Sequence, residues 1–435
     1  MRLVLLDHPN PKRFHFDPLA LSRPIFALRS GMKTLGEKLE ARFEPQSVAW
    51  IIPDYMVEAW RPQTPWPIND LTVLREGNDD LLIVHGRVKA RGWEYDPLGS
   101  SEVILDEDGQ VLVARVARSD LGKLCYDSIE AFVRSLAESL PHRSHQIPTW
   151  NYIWELVLEN PDQLRQDFAA LGRFGIEGNV EQPLALRGDR DDLYIAPGVQ
   201  IHPMVVIDVT GGPVYIDADA EIHPFTRIEG PCYIGKRTIL LGAKCREGNT
   251  IGPVCRVGGE IEESIIQGYS NKYHDGFLGH AYVGEWVNLG ALTTNSDLKN
   301  DYSSVEVILD GKRPIPTGST KVGSLIGDHT KTSIGTLLNT GAYVGAMTVI
   351  MATGKPLPKF IPSFAWFLDG HLSKGYGKQA LYKTAAVAMS RRRCTWTPAM
   401  EKMWDAIYQL TAPVRDELIR KARRTAIGTE SGKRA

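Results

Sequence analysis

Past residue 190 the aliphatic residues recur every six places: Ile195, Ile201 and Ile207; Ile216, Ile222, Ile228 and Ile234; Ile251 and Val257; Val283 and Leu289. Gly, Ala, Asp, His or Glu usually follows each one, in hexads such as IAPGVQ, IHPMVV, IDADAE, IHPFTR, IGKRTI, IGPVCR, VGEWVN and LGALTT. A helix would space its apolar residues three or four apart, and an ordinary strand alternates by two over a handful of residues. A period of six instead suits a coil of short parallel strands, with each aliphatic pointing inward and a small residue at the corner that follows. Stacked coils bond backbone to backbone from rung to rung and bury one continuous apolar column. The beat resumes at Ile326, Leu338, Val344 and Ile350, with Thr332 filling one place. Residues 293–321 are therefore predicted as a loop thrown out of the prism, and the proline-rich GKPLPKFIPSF (354–364) as its end.

Upstream the texture is different. LVLL (3–6), VAWII (48–52) and LLIV (81–84) read as buried strands, and VILDEDGQVLVARV (103–116) as a hairpin across Asp108-Gly109. Between them GMKTLGEKLEARF (31–43) has helical spacing, so residues 1–125 are predicted to form an α/β layer. Asp127 and Ser128 open a helix whose face is Ile129, Phe132, Val133, Leu136 and Leu140, closed by Pro141. A second starts at the cap-and-proline pair Asn160-Pro161 and runs to Gly172, giving a helical connector over 126–190. Coils then occupy 191–355 and a helical cap 356–427, with helices over 376–393 and from Pro398 until Pro413 interrupts. The tail GTESGKRA is predicted to be disordered.

Composition narrows the class. The 435 residues carry a formal net charge of −2, and no long basic face precedes the C-terminal end, where RRRC stands at 391–394, so no nucleic-acid partner is indicated. The apolar run at the N-terminus is too short for a signal peptide, and no later window has the length of a membrane span. Five cysteines without CxxC spacing suggest reduced thiols rather than a disulfide frame or a zinc site. These readings point to a cytoplasmic enzyme or assembly protein.

The stretch SNKYHDGFLGHAYVGEWVNLGAL (270–292) combines the apolar beat with amides and histidines. It resembles the active-site segment of the bifunctional N-acetylglucosamine-1-phosphate uridylyltransferase / glucosamine-1-phosphate acetyltransferase family, approximately SKAGHLxYLGDAxIGxxVNIGAG. PLALSRPIFALRSGMKTLGEKLE (18–40), VHGRV (84–88), IGDHTKTSIGTLLNTGAYVG (326–345) and FIPSFAW (360–366) extend the likeness to the GlmU-like group. The resemblance implies an α/β nucleotidyltransferase-like N-terminal domain, then a left-handed parallel β-helix of hexapeptide repeats with C-terminal helices. It also implies a homotrimer that uses acetyl-CoA as acyl donor and acts on an amino sugar, sugar phosphate or nucleotide sugar.

His274 falls where that family has its catalytic base, and a neutral imidazole can take the proton of an attacking amine near neutral pH. Tyr273 and Asp275 could orient the ring. Spacing alone favours a corner histidine serving a turn, and it is the resemblance that reverses this in favour of catalysis. By the same resemblance Asn288 contacts substrate, Ala291 lets the acyl-CoA backbone approach, and Asn295 is a further substrate contact.

The departures are also informative. Phe277 replaces a family tyrosine, and Glu262 replaces the lysine that holds the sugar phosphate. Lys244, Arg246 or Lys272 would then have to supply that charge. In the first domain LLDHPNPKRF replaces a glycine-rich phosphate loop, leaving Lys12 and Arg13 as cations, and Arg87 stands where a metal-binding Asp is expected. Arg13 and Arg23 are the candidate nucleotide contacts, no metal ligand is assigned, and Mg²⁺ would matter only if this domain is active. Arg391, Arg392 and Arg393 are read as capping the prism rather than holding CoA phosphates, and His280, His329 and His371 as structural. The alternatives are a non-catalytic hexapeptide scaffold or binding protein, or nucleotidyl transfer alone.

Overall fold

The computed structural model describes residues 1–368 and 370–431, with side chains described to Arg424. Five strands form the first sheet, in the order Ser47–Ile51, Arg2–Leu6, Leu81–His85, Val111–Val116 and Glu102–Leu105. The first three are parallel and the last two make the predicted antiparallel hairpin. Side-chain alternation splits Arg2–Leu6 between two cores, as expected for a parallel strand covered on both faces. Leu3 and Leu5 face the helix Leu35–Phe43, while Val4 and Leu6 face Phe132 and Leu136 of the helix Ile129–Ser139. A capping box of Thr34 and Glu37 starts the first of these helices, and Ser128 caps the second.

Asn160 does not cap its helix, because the short helix Ile153–Leu158 runs into it through Glu159. Its buried side chain instead accepts from Gly31 N–H (2.6 Å) and donates to Gly248 O (2.8 Å), tying the first sheet's loops to the coils.

The coils begin at Gly175–Ile176 and run to Trp366–Leu368, starting before residue 191 and continuing through the proline-rich segment. One face is a ten-stranded parallel sheet. Along it Ile195, Ile216, Ile234, Ile251, Ile266, Val283, Ile326, Val344 and Ile361 pair in register, which is the column that the six-residue beat predicts. Many of the small residues after the aliphatics are needed for coil-to-coil approach rather than for backbone conformation. A Cβ on Gly252 would lie 2.2 Å from Gln267 O, and one on Gly345 the same distance from Ser363 N. Left-handed corners are instead held largely by bulky residues, including Met204 (φ 68°), Phe225 (φ 66°) and Trp286 (φ 61°).

The predicted loop starts later than residue 293. Thr294–Asn295 still pairs with Leu337–Leu338 inside the prism. The excursion that follows carries the antiparallel hairpin Glu306–Ile308 with Pro314–Pro316, and packs Val305, Val307 and Leu309 against Phe16, Leu19 and Tyr343.

An ion cluster closes the base of this excursion. His280, 3% exposed, sits 2.8 Å from Asp297 Oδ2 and 3.3 Å from Glu263 Oε2. Burial pulls its pKa down, but the hydrogen bonds to Asp297 and Glu263 outweigh that and raise it to about 9. A folded-state pKa above the unfolded value means that this contribution is complete below about pH 6.5 and is lost as pH rises through about 9. The expected stability difference between wild type and His280→Gln therefore shrinks over that window, by on the order of 3 kcal/mol. Urea denaturation of both proteins at pH 6 and pH 9.5 measures it, and an unchanged difference would exclude the charged cluster.

C-terminal helices span Lys378–Ser390, Pro398–Leu410 and Ala412–Ser431. Pro413 sits in the first turn of a new helix that begins at Ala412, where the sequence reading had it only interrupt one. That last helix includes the first four residues of GTESGKRA, and residues 432–435 lie outside the described residues. These helices do not simply cap the coil end. Leu381, Tyr382, Met403, Trp404 and Ile407 share one core with Leu3, Leu5 and Val84 of the first sheet and with Met347 and Phe364 of the coils.

Candidate active site

The beat that builds the prism also decides which side chains reach its surface. Ile266, Lys272 and Leu278 are six apart, and Lys272 takes the inward place next to Val257 in the ladder. His274, two residues on, turns outward at the corner. Lys272 is 3% exposed, and its ammonium donates to Gly258 O and His274 O, both at 2.9 Å. Burial lowers its pKa to about 8, against the opposing charge of Asp275. It braces the His274 corner from inside rather than meeting a ligand from outside. The His274 side chain is exposed, its ring edge-on to Tyr273 at 4.9 Å, and among the described residues no hydrogen bond reaches its imidazole, from Asp275 or any other group.

His274 opens on a cleft of about 530 Å³ between the coils and the segment after the helix Lys378–Ser390. Asn271, Asn288, Ala291 and Ile334 line the coil side, and Arg256, Arg391 and Arg392 supply cations. Asn271 and Asn288 stack on successive rungs (Nδ2 to Oδ1, 3.2 Å), and Arg392 donates to Asn271 Oδ1 at 2.9 Å. A smaller cavity of about 240 Å³ shares both asparagines and both C-terminal arginines, and adds Lys331 and the stacked Tyr269–Trp286 pair (4.5 Å). Among the described residues no carboxylate lines either space. Among the described residues none of the three arginines has a carboxylate within ion-pair distance, and burial together with Arg392 lowers the pKa of Arg256. The Ala291 N–H likewise has no partner among the described residues.

Sequence reasoning put the arginines of the RRRC turn in a cap, whereas two of them line the His274 cleft. Their absence of acidic neighbours in sequence was the available signal.

Other candidates lie elsewhere. Asn295 is 2% exposed, in the inward place six residues after Leu289, and clasps the backbone of Gly279 through two 2.8 Å hydrogen bonds. Arg23, 2% exposed, is consumed by Asp328 (2.7 Å) and Glu285 (3.2 Å) of the coils. Arg13 pairs with Asp7 (3.1 Å) and donates to the carbonyls of Ala20 and Arg23. Glu262 is neutralised by Lys321 (3.2 Å) and Arg246 (3.3 Å), away from the cleft.

The strand ends of the first sheet do not suit a magnesium ion. Asp7 is held by Arg13 and by Ile25 N–H, and Asp106 by Arg87 (3.0 Å) and Lys12 (3.3 Å), so both carboxylates already have cationic partners. A cavity of about 730 Å³ beside them is lined by Asp17, Asp54 and Asp310, with Arg13 its only cation among the described residues. Burial raises the Asp17 carboxyl to about 7. Acidic walls of this kind oppose a polyphosphate.

Residues 3–173 match the sugar nucleotidyl transferase family model. Within a 147-residue stretch the chain is 36% identical to a bifunctional sugar-1-phosphate nucleotidylyltransferase/acetyltransferase of Sulfurisphaera tokodaii, covering 31% of this chain and 34% of that protein. It is 27% identical over 189 residues to the bifunctional protein GlmU of Synechococcus elongatus, covering 43% of this chain and 32% of that one. The chain thus spans about a third of the length of these curated relatives. An Arabidopsis UDP-N-acetylglucosamine acyltransferase structure aligns at 12% identity and TM-score 0.26, over 57% of this chain and 96% of that one, too loosely to bear on the site. No helix among the described residues is long and apolar enough to cross a membrane.

Proposed function

We propose that this protein transfers an acetyl group from acetyl-CoA to an amino sugar, as the free sugar, its phosphate or its nucleotide derivative, at the His274 cleft. The observation that carries the reading is an exposed, outward-facing imidazole at the mouth of a cationic cleft, inside the segment where the family likeness is strongest. His274 takes the proton as the amine attacks the thioester carbonyl, the C–S bond then breaks and the imidazolium returns the proton to the departing CoA thiolate, while Asn288 orients the acceptor and the Ala291 N–H is the candidate donor to the oxyanion. Arg256, Arg391 and Arg392 receive the phosphates of the CoA arm, where unpaired guanidiniums form charge-assisted hydrogen bonds. The matched nucleotidyl transferase region contributes packing and assembly in this reading, because Asp7 and Asp106 at its strand ends are held by Arg13 and Arg87 and its Arg23 is held by Asp328 and Glu285 of the coils.

Release of free CoA thiol, followed with a panel of amino sugars and their phosphates, tests the assignment. No thiol release above the acceptor-free rate with any of them would defeat it. Arg392→Ala is expected to raise KM for acetyl-CoA about 10- to 150-fold with kcat little changed, from the loss of one charge-assisted bond of about 1.5–3 kcal/mol. An unaltered KM would remove Arg392 from the donor site.

A trimer completes the proposal. Met204, Phe225 and Ile334 are bulky apolar corner residues, and Phe225 is 76% exposed although its N–H bonds to Met204 O on the neighbouring coil. Ile334 also lines the cleft, so a second copy laid on this edge would wall the site. Light scattering of the assayed protein should give three times the chain mass, and a monomer at assay concentration would refute the shared site.

A further inference from the structure

The hexads IHPMVV and IHPFTR place the same tripeptide, Ile-His-Pro, at 201–203 and 222–224. The coils turn that repeat into a side-chain cluster. Ile201 and Ile222 are register partners on adjacent rungs, so His202 and His223 leave equivalent corners one above the other. Their N–H groups bond to Ile222 O and Leu240 O, both at 2.9 Å, which fixes the backbone beneath both rings. The ring centroids are 5.0 Å apart.

We infer that His202, His223 and Glu221 form a binding site for a divalent transition-metal ion of the zinc class. Both imidazole Nε2 atoms lie 3.2 Å from the same oxygen, Glu221 Oε1, and the three ligand atoms lie within 4.8 Å of one another. In a tetrahedral zinc site with bonds of about 2.0–2.1 Å, neighbouring ligand atoms are about 3.3 Å apart. The two N···O separations thus already match edges of that tetrahedron. The third edge, between ligand nitrogens of the two rings, is no longer than 4.8 Å.

The surroundings support a cation. His202 Nδ1 lies 3.5 Å from Glu181 Oε1, a carboxylate behind a ligating imidazole of the kind that fixes its tautomer and raises its basicity. Two neutral imidazoles and two carboxylates leave a net negative site. All four side chains are reachable from solvent, with none fully buried. Three side-chain ligands leave a fourth position for water. Because Glu181, His202 and His223 come from three successive rungs, a bound ion would clip the early coils together.

Titration of chelator-treated protein with cobalt(II), followed by its visible absorption and then by displacement with zinc, tests the site. One equivalent per chain is expected, with a tetrahedral cobalt spectrum. His223→Gln and Glu221→Gln should each weaken binding by about 100-fold or more, and Glu181→Gln by about 10-fold. Zinc should raise the melting temperature of the wild type and leave that of His223→Gln unchanged. Far-UV circular dichroism confirms that the variants keep their coils, and His202→Gln replaces any that does not. Absence of cobalt absorption at millimolar metal, or equal affinity in wild type and His223→Gln, would leave a hydrogen-bonded His-Glu-His stack and overturn the proposal.

Discussion

Alanine at position 274 is expected to lower kcat for acetyl transfer by about 10²–10⁴-fold, the usual contribution of a positioned general base. The fold should survive, because the side chain is exposed and the corner is held by Lys272 through backbone carbonyls. KM for acetyl-CoA should change little, since the arginines rather than the imidazole meet the phosphates. Steady-state thiol release for wild type and His274→Ala at one pH measures both effects. An alanine variant within threefold of wild type in kcat would show that another group takes the proton.

The second large effect concerns stability. Arg23→Met removes one half of a buried ion pair while Asp328 remains, still bonded to Ser22 Oγ at 2.7 Å and to Glu285 N–H at 2.8 Å. Removing one partner of such a pair typically costs about 3–5 kcal/mol, because the remaining charge is stranded in a dry setting. The first urea transition should therefore move to lower denaturant. Arg23→Met combined with Asp328→Asn should recover part of the loss, since the stranded carboxylate is then gone. A shift worth less than about 1 kcal/mol in the single variant would show that water reaches Asp328 and that the pair does not hold the two parts together.

Periodicity carried much of the site's logic, including part that the family likeness obscured. Lys272 and Asn295 fall on the six-residue beat after Ile266 and Leu289, and the coils turn both inward. The likeness suggested ligand contacts for them, but in a prism the inward place is decided by backbone geometry whatever residue occupies it. Lys272 tolerates that place because two carbonyls accept hydrogen bonds from its ammonium, and Asn295 because its amide mimics a backbone pair. His274, off the beat by two, faces outward for the same reason. The His202–His223 pair was also legible, as a repeated Ile-His-Pro, but its spacing of 21 residues matters only once the coil length is known.

The sequence by itself determined the class of architecture: a coil, because one inward aliphatic per short strand admits no helix, and an α/β layer ahead of it. It also determined which face each repeat residue occupies, since facing is a local property of backbone period. Tertiary structure alone decided which distant segments meet. Arg23 finds Asp328 across 305 positions, Arg392 reaches Asn271 across 121, and the C-terminal helices fill the seam between sheet and coils. No local pattern encodes such meetings. They depend on how three separately formed apolar surfaces share one core, and the charges brought to that seam take whichever partner the packing leaves beside them.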